Sequence, residues 1–392
     1  MLFLVKYNYY WNIKKQKGKA EDRLFSYIRN VIGKYSPFYR NHFKKHNIDY
    51  KAIDTIKEFQ AIPPITKKEH MKEPKAFILT PNEPDWWECT SETDPLPGIK
   101  TFKYWLKSLN KTYLREVFSK ETFTEDDRII MEAVNEWLPI QFLSTKGSEN
   151  PALIAFTKRD IIQNISEITS HLFMTGFKPN WEMFNTYLAS PNIAFFQSAW
   201  SPLFVGGGTY FTYGDEQTSI EKQLKLVSSI TFEVFLGTPS YTKTWLEAAI
   251  AKLKKSQLSK ISSFKLCLLS GEPVTPTLKS EIKDLFSKLG SSPSIIESYS
   301  NNRAKVSFHE CSENSGIHLD PRYFYWEVLD SKSLEPVNEG EKGYLCFSHI
   351  DWRGTAFIRY NTGDLIDGIT WERCEHCGLT FPKIKGHIQR TN

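Results

Sequence analysis

The sequence predicts an α/β protein in which helices cover mostly parallel sheets and a smaller β-rich lobe follows near the C-terminus. Three observations predict it. Between about 128 and 304, short apolar runs alternate with amphipathic stretches, the pattern of buried parallel strands and their crossover helices. After 305 the runs follow one another with only short turns between them. The composition is globular, with 40% hydrophobic and 24% charged residues in 392, enough for two or three domains or one large one.

In chain order, the first 80 residues read as helices joined by turns. Leu24, Phe25 and Ile28 recur at helical spacing over 22–30, continuing to Val31 and Ile32. Ser36-Pro37 interrupts them, because proline disfavours helix at the residue before it. Ile62-Pro63-Pro64-Ile65 is a second break, and Thr66 is placed to cap the next helix. Residues 81–100, rich in Pro, Asp, Glu and Thr, read as a loop or boundary. Phe102, Trp105, Leu106, Leu109, Tyr113 and Val117 then predict one amphipathic helix over 102–118. Its apolar face is expected on the large lobe or against a partner, a second copy in a homodimer included.

Buried strands are expected at 129–131, 186–189, 234–236 and 264–269, with helices near 158–173, 218–228, 239–254 and 276–289. In the last lobe the expected strands are 323–329, 343–348 and 355–360.

Charge narrows the partners. Fifty Lys+Arg against 45 Asp+Glu give +5, spread without a basic block, so no nucleic acid is expected. No apolar run approaches the roughly 18–20 residues of a membrane span, and mean hydropathy is −0.42. Met1-Leu2-Phe3-Leu4-Val5 is too short for a signal-peptide core. Six cysteines in so long a chain do not make a disulfide scaffold. A soluble, cytoplasmic protein with no membrane partner is expected.

Several constellations have chemical potential. Cys374-x-x-Cys377 is spaced for one turn to aim two thiolates at one ion. Cys311 and His318 complete three sulfurs and one nitrogen, a closed tetrahedral zinc set with no open position and hence a structural role; His309 and His376 are spare nitrogens. Ser144-Thr145-Lys146-Gly147-Ser148-Glu149-Asn150-Pro151 follows an apolar segment and precedes a helix. Its small hydroxylated residues and glycine suit phosphate, although it is not a Walker loop. Arg359-Tyr360-Asn361-Thr362-Gly363-Asp364 places an acid just past a strand behind a Thr-Gly turn, where it can accept ribose hydroxyls. Read alone, it is an ordinary hairpin turn. Gly206-Gly207-Gly208 suits a tight helix–strand junction. There is no G-x-S-x-G elbow and no H-E-x-x-H pair.

In order, these segments resemble the phenylacetate–CoA ligase branch of the adenylate-forming superfamily. The likeness runs from about 21 to 390, with an interruption near 80–128. It is carried by Ser36-Pro37-Phe38-Tyr39-Arg40, Ile62-Pro63-Pro64-Ile65-Thr66-Lys67, Thr175-Gly176-Phe177-Lys178-Pro179, Gly237-Thr238-Pro239-Ser240-Tyr241, Ser270-Gly271-Glu272-Pro273 and Ile358 to Asp364. The Cys/His set is similar to a zinc site of some members.

The resemblance implies an N-terminal helical segment over 1–127 with an atypical insertion near 80–127. An α/β nucleotide-binding core over 128–304 and a zinc-bearing β lobe over 305–392 would follow, without the small C-terminal domain of the family. It implies ATP and Mg2+ activating a small carboxylic acid, aryl or acyl, to an acyl-adenylate. The acyl group would then pass to coenzyme A or a carrier-protein pantetheine. Ser144, Thr145 and Ser148 would face phosphates; Gly271, Glu272 and Pro273 would line adenine; Asp364 would hold ribose. Tyr299 would stand between adenine and an acid pocket bounded by the helix after 158, Phe195-Phe196 and Tyr299 itself. Lys146 and Arg303 are not residues the resemblance supplies; they are expected to bring positive charge to the phosphoryl side, with Asn302 beside Arg303.

The chain departs from the family pattern at three places. Lys146 and Glu149 replace two usual glycines, and Arg303 stands at a usual magnesium-binding Glu. Lys385-Gly386-His387-Ile388-Gln389 replaces the hinge. A separate C-terminal domain is then an expected partner. Two other readings compete: an interaction protein on this fold without catalysis, and acyl transfer like that of the acyl-protein synthetase of bacterial bioluminescence.

Overall fold

The structure is a computed structural model that describes residues 12–81, 136–144, 152–187, 193–212, 219–254, 261 and 263–390. The helix expected at 102–118, the strand expected at 129–131, and Thr145, Lys146 and Ser148 lie outside the described residues.

Local chemistry sets the N-terminal helices. Helix α1 (Ile13–Tyr27) is capped by the Asn12 side chain and buries Ala20, Leu24, Phe25 and Tyr27. A wider helical turn, Ile28–Ile32, continues it. The Ser36-Pro37 break is the start of α2 (Pro37–Lys45): Ser36 accepts from the Tyr39 N–H, and proline sits where no amide partner is lost. Helices α3 (Ile56–Gln60) and α4 (Lys67–Lys72) each begin with a reciprocal box, Thr55 with Glu58 and Thr66 with Glu69.

Strands β1 (Pro139–Ser144) and β2 (Leu153–Thr157) form an antiparallel pair. A helical stretch over 160–175 leads into the main sheet. That sheet contains β3 (Glu182–Asn185), β4 (Gly208–Phe211), β5 (Val234–Gly237), β6 (Leu266–Leu269), β7 (Ser294–Ser300) and β8 (Ser307–His309), in the order β4-β3-β5-β6-β7-β8. All neighbours are parallel except β7 and β8. The crossovers are α5 (Ile193–Phe204), α6 (Ile220–Val227), α7 (Pro239–Lys252) and α8 (Pro276–Lys288).

The strands' unbroken apolarity has a simple cause. Phe184, Phe235, Cys267 and Ile295 pack into one core with Trp245, Ile282 and Phe286. Met183, Val234, Leu236, Leu266, Leu268 and Ile296 fill the opposite core with Leu172. Alternate residues point to opposite faces and both faces are covered.

The C-terminal part holds two antiparallel sheets. The smaller joins β9 (Ile317–His318), β13 (Ile369–Thr370) and β14 (Lys383–Ile384) in the order β13-β14-β9. The larger runs β10 (Phe324–Leu329), β11 (Gly343–His349), β12 (Tyr360–Ile366) and β15 (Ile388–Arg390). Its apolar face shares one core with the N-terminal helices, from Leu24 and Tyr39 through Phe77 to Phe324, Phe347, Trp352 and Phe357.

Three expectations need correction. The strand expected at 186–189 lies at Glu182–Asn185. The Thr186 N–H and hydroxyl both turn to the Leu236 carbonyl, 2.9 and 2.8 Å away. The strand expected at 355–360 begins only at Tyr360, because Thr355 pairs with Ala155 and the Ala356 N–H with the Phe77 carbonyl. Helix α5 was not expected: aromatics and Pro202 mask its period. Among the described residues, no helix is long and apolar enough to cross a membrane.

Candidate active site and metal centre

Ligands of open parallel sheets bind outside the carboxyl ends of the strands, where the strand order reverses. Here that point lies between β3 and β5, and polar residues crowd the edge beside it. Tyr187 follows β3, Thr238 ends β5 and caps α7, and Ser270-Gly271-Glu272-Pro273 leaves β6. Gly271 has φ +88°, the left-handed region that a side chain resists, and an added Cβ would stand 3.1 Å from the Tyr187 hydroxyl. Gly271, Glu272 and Pro273 are all exposed. The Glu272 carboxylate accepts from the Ser240 N–H in the first turn of α7, 3.1 Å away. The Ser270 and Ser300 hydroxyls, on neighbouring strand ends, are 3.2 Å apart. Tyr187 also bonds Ser270, and burial pushes its phenol up to about 12.

Tyr299 near the end of β7 donates its hydroxyl to Asp364 Oδ2 at 2.7 Å, across 65 residues of sequence. Both residues are buried. Burial raises the Asp364 carboxyl above its ordinary range, against bonds from Tyr299, Thr362 and Asn301. The sequence read the Asn361-Thr362-Gly363-Asp364 segment as a hairpin turn; it is a bulge inside β12. Cys346 pairs with Asn361 but Tyr344 with Leu365, so the extra residues loop out. Gly363 has φ +75°, its N–H bonds Asn361 Oδ1, and the Asp364 N–H bonds the Thr362 hydroxyl. Turn and bulge need the same glycine and the same side-chain acceptors, so they read alike locally.

A cleft of about 640 Å³ opens over this bulge, lined by Thr66, Lys67, Lys68, Met71, Tyr344 and residues 361–363. Sequence reasoning did not single out Lys68 or Arg390. Arg390 lies opposite Asp364 in the β12–β15 register, with Nε 3.9 Å from Asp364 Oδ1, and it also donates to the Ser300 carbonyl. Its pairing is set by the fold, and no local motif marks it.

Arg303 points inward. It is 5% exposed, donates from Nε to His70 Nδ1 at 3.1 Å, and lies over the Tyr360 ring. Burial and then the Arg303 charge push His70 down to about 3, so it accepts as a neutral ring. No carboxylate pairs with Arg303 among the described residues. Asn302 is half-buried in the same turn, its carbonyl bonded by the Lys305 N–H. Ser144 ends β1 opposite Leu153. Phe195 and Phe196 pack on Phe211 and Trp200.

The metal-like set does assemble. One donor atom from each of Cys311, His318, Cys374 and Cys377 lies within 4.8 Å of every other. Cys311 and Cys374 sulfurs are 3.6 Å apart, and Cys377 Sγ is 3.5 Å from His318 Nε2. Thiolates bound at about 2.3 Å to one tetrahedral ion would stand roughly 3.7 Å apart, so the donors fit zinc. A tight loop shapes the Cys374–Cys377 turn, with Cys374 N–H on the Leu379 carbonyl and Gly378 N–H on the Cys374 carbonyl. A bond from Cys377 holds the Cys311 thiol far below its ordinary range. His318 is raised: burial opposes its charge, but the Cys311 and Cys374 thiols outweigh it. Cys374 is lowered as well, whereas Cys377 is raised by its bond to Cys311. His309 bonds Ser298 instead, and neither it nor His376 joins the set.

No family model matches the chain. Over 260 residues it is 27% identical to a phenylacetate–coenzyme A ligase of Thermus thermophilus, covering 64% of this chain and 54% of that protein. The corresponding Escherichia coli protein is 24% identical over 268 residues, covering 65% and 55%. The chain thus spans about half the length of the curated relatives it matches. A 2-hydroxyisobutyryl-CoA ligase, solved with 2-HIB-AMP and CoA in an open conformation, superposes with a TM-score of 0.70 at 17% identity. The match covers 96% of this chain and 75% of that one. Its thioesterification state gives 0.69, with 96% and 69% covered. The fold is that of acid–CoA ligases. The proteins that the sequence motifs resembled are the ones these comparisons return.

Proposed function

We propose that this chain is the acid-activating part of an ATP-dependent acid–CoA ligase. The observation that carries the reading is the Tyr299–Asp364 bond, which joins two distant motifs beside the β6 and β7 ends. Relatives named phenylacetate–CoA ligase, and a structural neighbour solved with an acyl-AMP and CoA, support it.

In the proposed reaction a carboxylate oxygen attacks the α-phosphorus of ATP, and the bond to the departing pyrophosphate breaks. A thiol sulfur, of coenzyme A or of a carrier protein, then attacks the acyl carbon and AMP leaves. Asp364 accepts the ribose hydroxyls, Tyr299 fixes its carboxylate, and Gly271, Glu272 and Pro273 border adenine. Ser144, Thr145, Lys146 and Ser148 face the phosphates, with Lys67 and Lys68 on the cleft wall. Mg2+ accompanies the ATP phosphates; Arg303 offers it no ligand. Zinc held by Cys311, His318, Cys374 and Cys377 would cross-link the β lobe and take no part in the chemistry. The proposed partners are a small carboxylic acid, a separate C-terminal domain and a second copy of this chain. ATP and reduced thiols suit a cytoplasmic setting.

A second reading has its own observation. Arg303, buried on neutral His70 where relatives of this kind are expected to hold a metal with a carboxylate, suits a protein that binds nucleotide without turning it over. Acid-dependent exchange of pyrophosphate into ATP separates the two. Exchange supports the ligase, whereas binding without exchange supports the binder. Absence of ATP, AMP and acyl-adenylate binding at millimolar ligand with Mg2+ would sink both.

A further inference from the structure

Beneath the Ser270–Ser300 contact, a cavity of about 30 Å³ runs down between the main sheet and α5. It lies among the elements expected to bound the acid, with Leu172 of the 160–175 stretch, α5, and Ser298 and Ser300 of β7 in its wall, although Phe195, Phe196 and Tyr299 do not line it. The residues of α5 that face it are Ala194, Gln197, Ser198 and Ser201, one side of a helix, while Phe195 and Phe196 turn away.

Three properties of the lining bear on what fits. The first is size: about 30 Å³ holds two or so waters, whereas a benzene ring occupies a cavity of roughly 150 Å³. The second is charge: among the described residues no Asp, Glu, Lys or Arg lines it, so a second carboxylate or an ammonium would be buried there without a partner. The third is an unused donor. Gln197 is 5% exposed and its Nε2 has no hydrogen-bond partner among the described residues. Most of the other polar side chains of the wall have partners: Ser298 with His309 Nδ1, Ser198 with Asn185, Ser201 with the Gln197 carbonyl, and Ser270 with Ser300. A buried amide N–H2 without an acceptor costs free energy until a ligand or water oxygen reaches it.

On the strength of the acid-activating reading, we propose that the acid is short and uncharged beyond its carboxylate, and bears an oxygen that accepts from Gln197. This describes a hydroxy or oxo acid of about two to four carbons, and not an aryl or fatty acid. The carboxylate would stand at the Ser270–Ser300 end, toward Tyr299 and the nucleotide, with the tail oxygen toward α5.

The test is calorimetry on the full chain with AMP, sulfamoyladenosine, and its lactoyl, propionyl and phenylacetyl derivatives, which mimic acyl-adenylates without reacting. Lactoyl and propionyl differ by one hydroxyl. In the wild type, the lactoyl compound should bind about tenfold tighter than the propionyl one, and the phenylacetyl compound weakest of the three. In Gln197→Met, a near-isosteric change, the lactoyl preference should disappear while AMP affinity stays. The wild-type ranking alone decides the matter if that variant does not fold. Phenylacetyl binding as tight as lactoyl, or equal lactoyl and propionyl binding in the wild type, overturns the proposal and leaves a water-filled void. If AMP binds and no acyl group adds affinity, the acid assignment falls while the nucleotide reading stands. If nothing binds, both fall.

Discussion

Two polar constellations are built largely from the C-terminal part, and they are satisfied in opposite ways. In the Cys311–His318–Cys374–Cys377 set every donor faces the other three, at 4.8 Å or less. Such a set leaves no position for substrate and is completed by one cation. At the carboxyl edge of the sheet, Tyr299 and Asp364 are bonded to each other near an open cleft, with Arg390 Nε 3.9 Å from Asp364 Oδ1. On the proposed reading, the closed set is structural and the pair near the cleft is chemical.

The largest expected effect breaks the closed side. Cys374→Ser should abolish bound zinc, read as metal per chain after chelator washing, and destabilise the protein by more than about 3 kcal/mol. Wild-type protein that holds no zinc and melts as the variant does would remove the contrast altogether.

A next test lies inside the motif shared by both kinds of residue. Arg359 is 2% exposed, pairs with the buried Glu327 at 3.1 Å, and donates to the Gln60 and Ile62 carbonyls. It ties the N-terminal segment to the β lobe, five residues before Asp364. Arg359→Ala should cost about 3–5 kcal/mol in denaturant unfolding, because Glu327 is left charged and buried. Retained stability with lost nucleotide affinity would move Arg359 from strut to site.

Asp364→Ala should do the reverse, weakening ATP or AMP binding about tenfold to a hundredfold by calorimetry. Unfolding should change less than for Arg359→Ala. Unaltered affinity would show that ribose does not reach this carboxylate.

The smallest effect concerns β7 itself. Glu297 is pushed up to about 7, first by burial and then by the Glu310 carboxylate, with Lys279 opposing. Its folded-state pKa lies above the unfolded value near 4.5, so the native state binds the proton more tightly. Its contribution favours folding below about 4.5, is lost as pH rises to about 7, and is flat above. Relative to wild type, Glu297→Gln should therefore gain stability across that window, by about 2 kcal/mol at neutral pH. A pH-independent difference between the two proteins would refute the shift.

Much of this was legible in the chain because its causes are local. Thr66 caps α4, and Thr238 and Thr275 cap α7 and α8, through side-chain bonds within three residues. The apolar runs at 234–236 and 264–269 became strands because both faces of the sheet are covered. The Cys/His set was legible from ligand chemistry and spacing, and the fold brought Cys311 and His318 to Cys374 and Cys377.

The tertiary structure decided the rest, where the partner of a residue lies far along the chain. The backbone at 355–358 has strand composition, yet its hydrogen bonds are scattered over Ala155, Phe77 and the Tyr39 hydroxyl, and it meets β11 only where His349 bonds Phe357. Arg303 looks, by position, like a residue for phosphate, yet it faces His70 and Tyr360. Arg390 has no motif, yet register sets it opposite Asp364. The size and polarity of the cavity under Ser270 depend on which side of α5 faces the sheet. Capping and apolar period are determined by a few adjacent residues. Burial of a charge and the choice of a hydrogen-bond partner depend on what packs alongside, so only the assembled chain determines them.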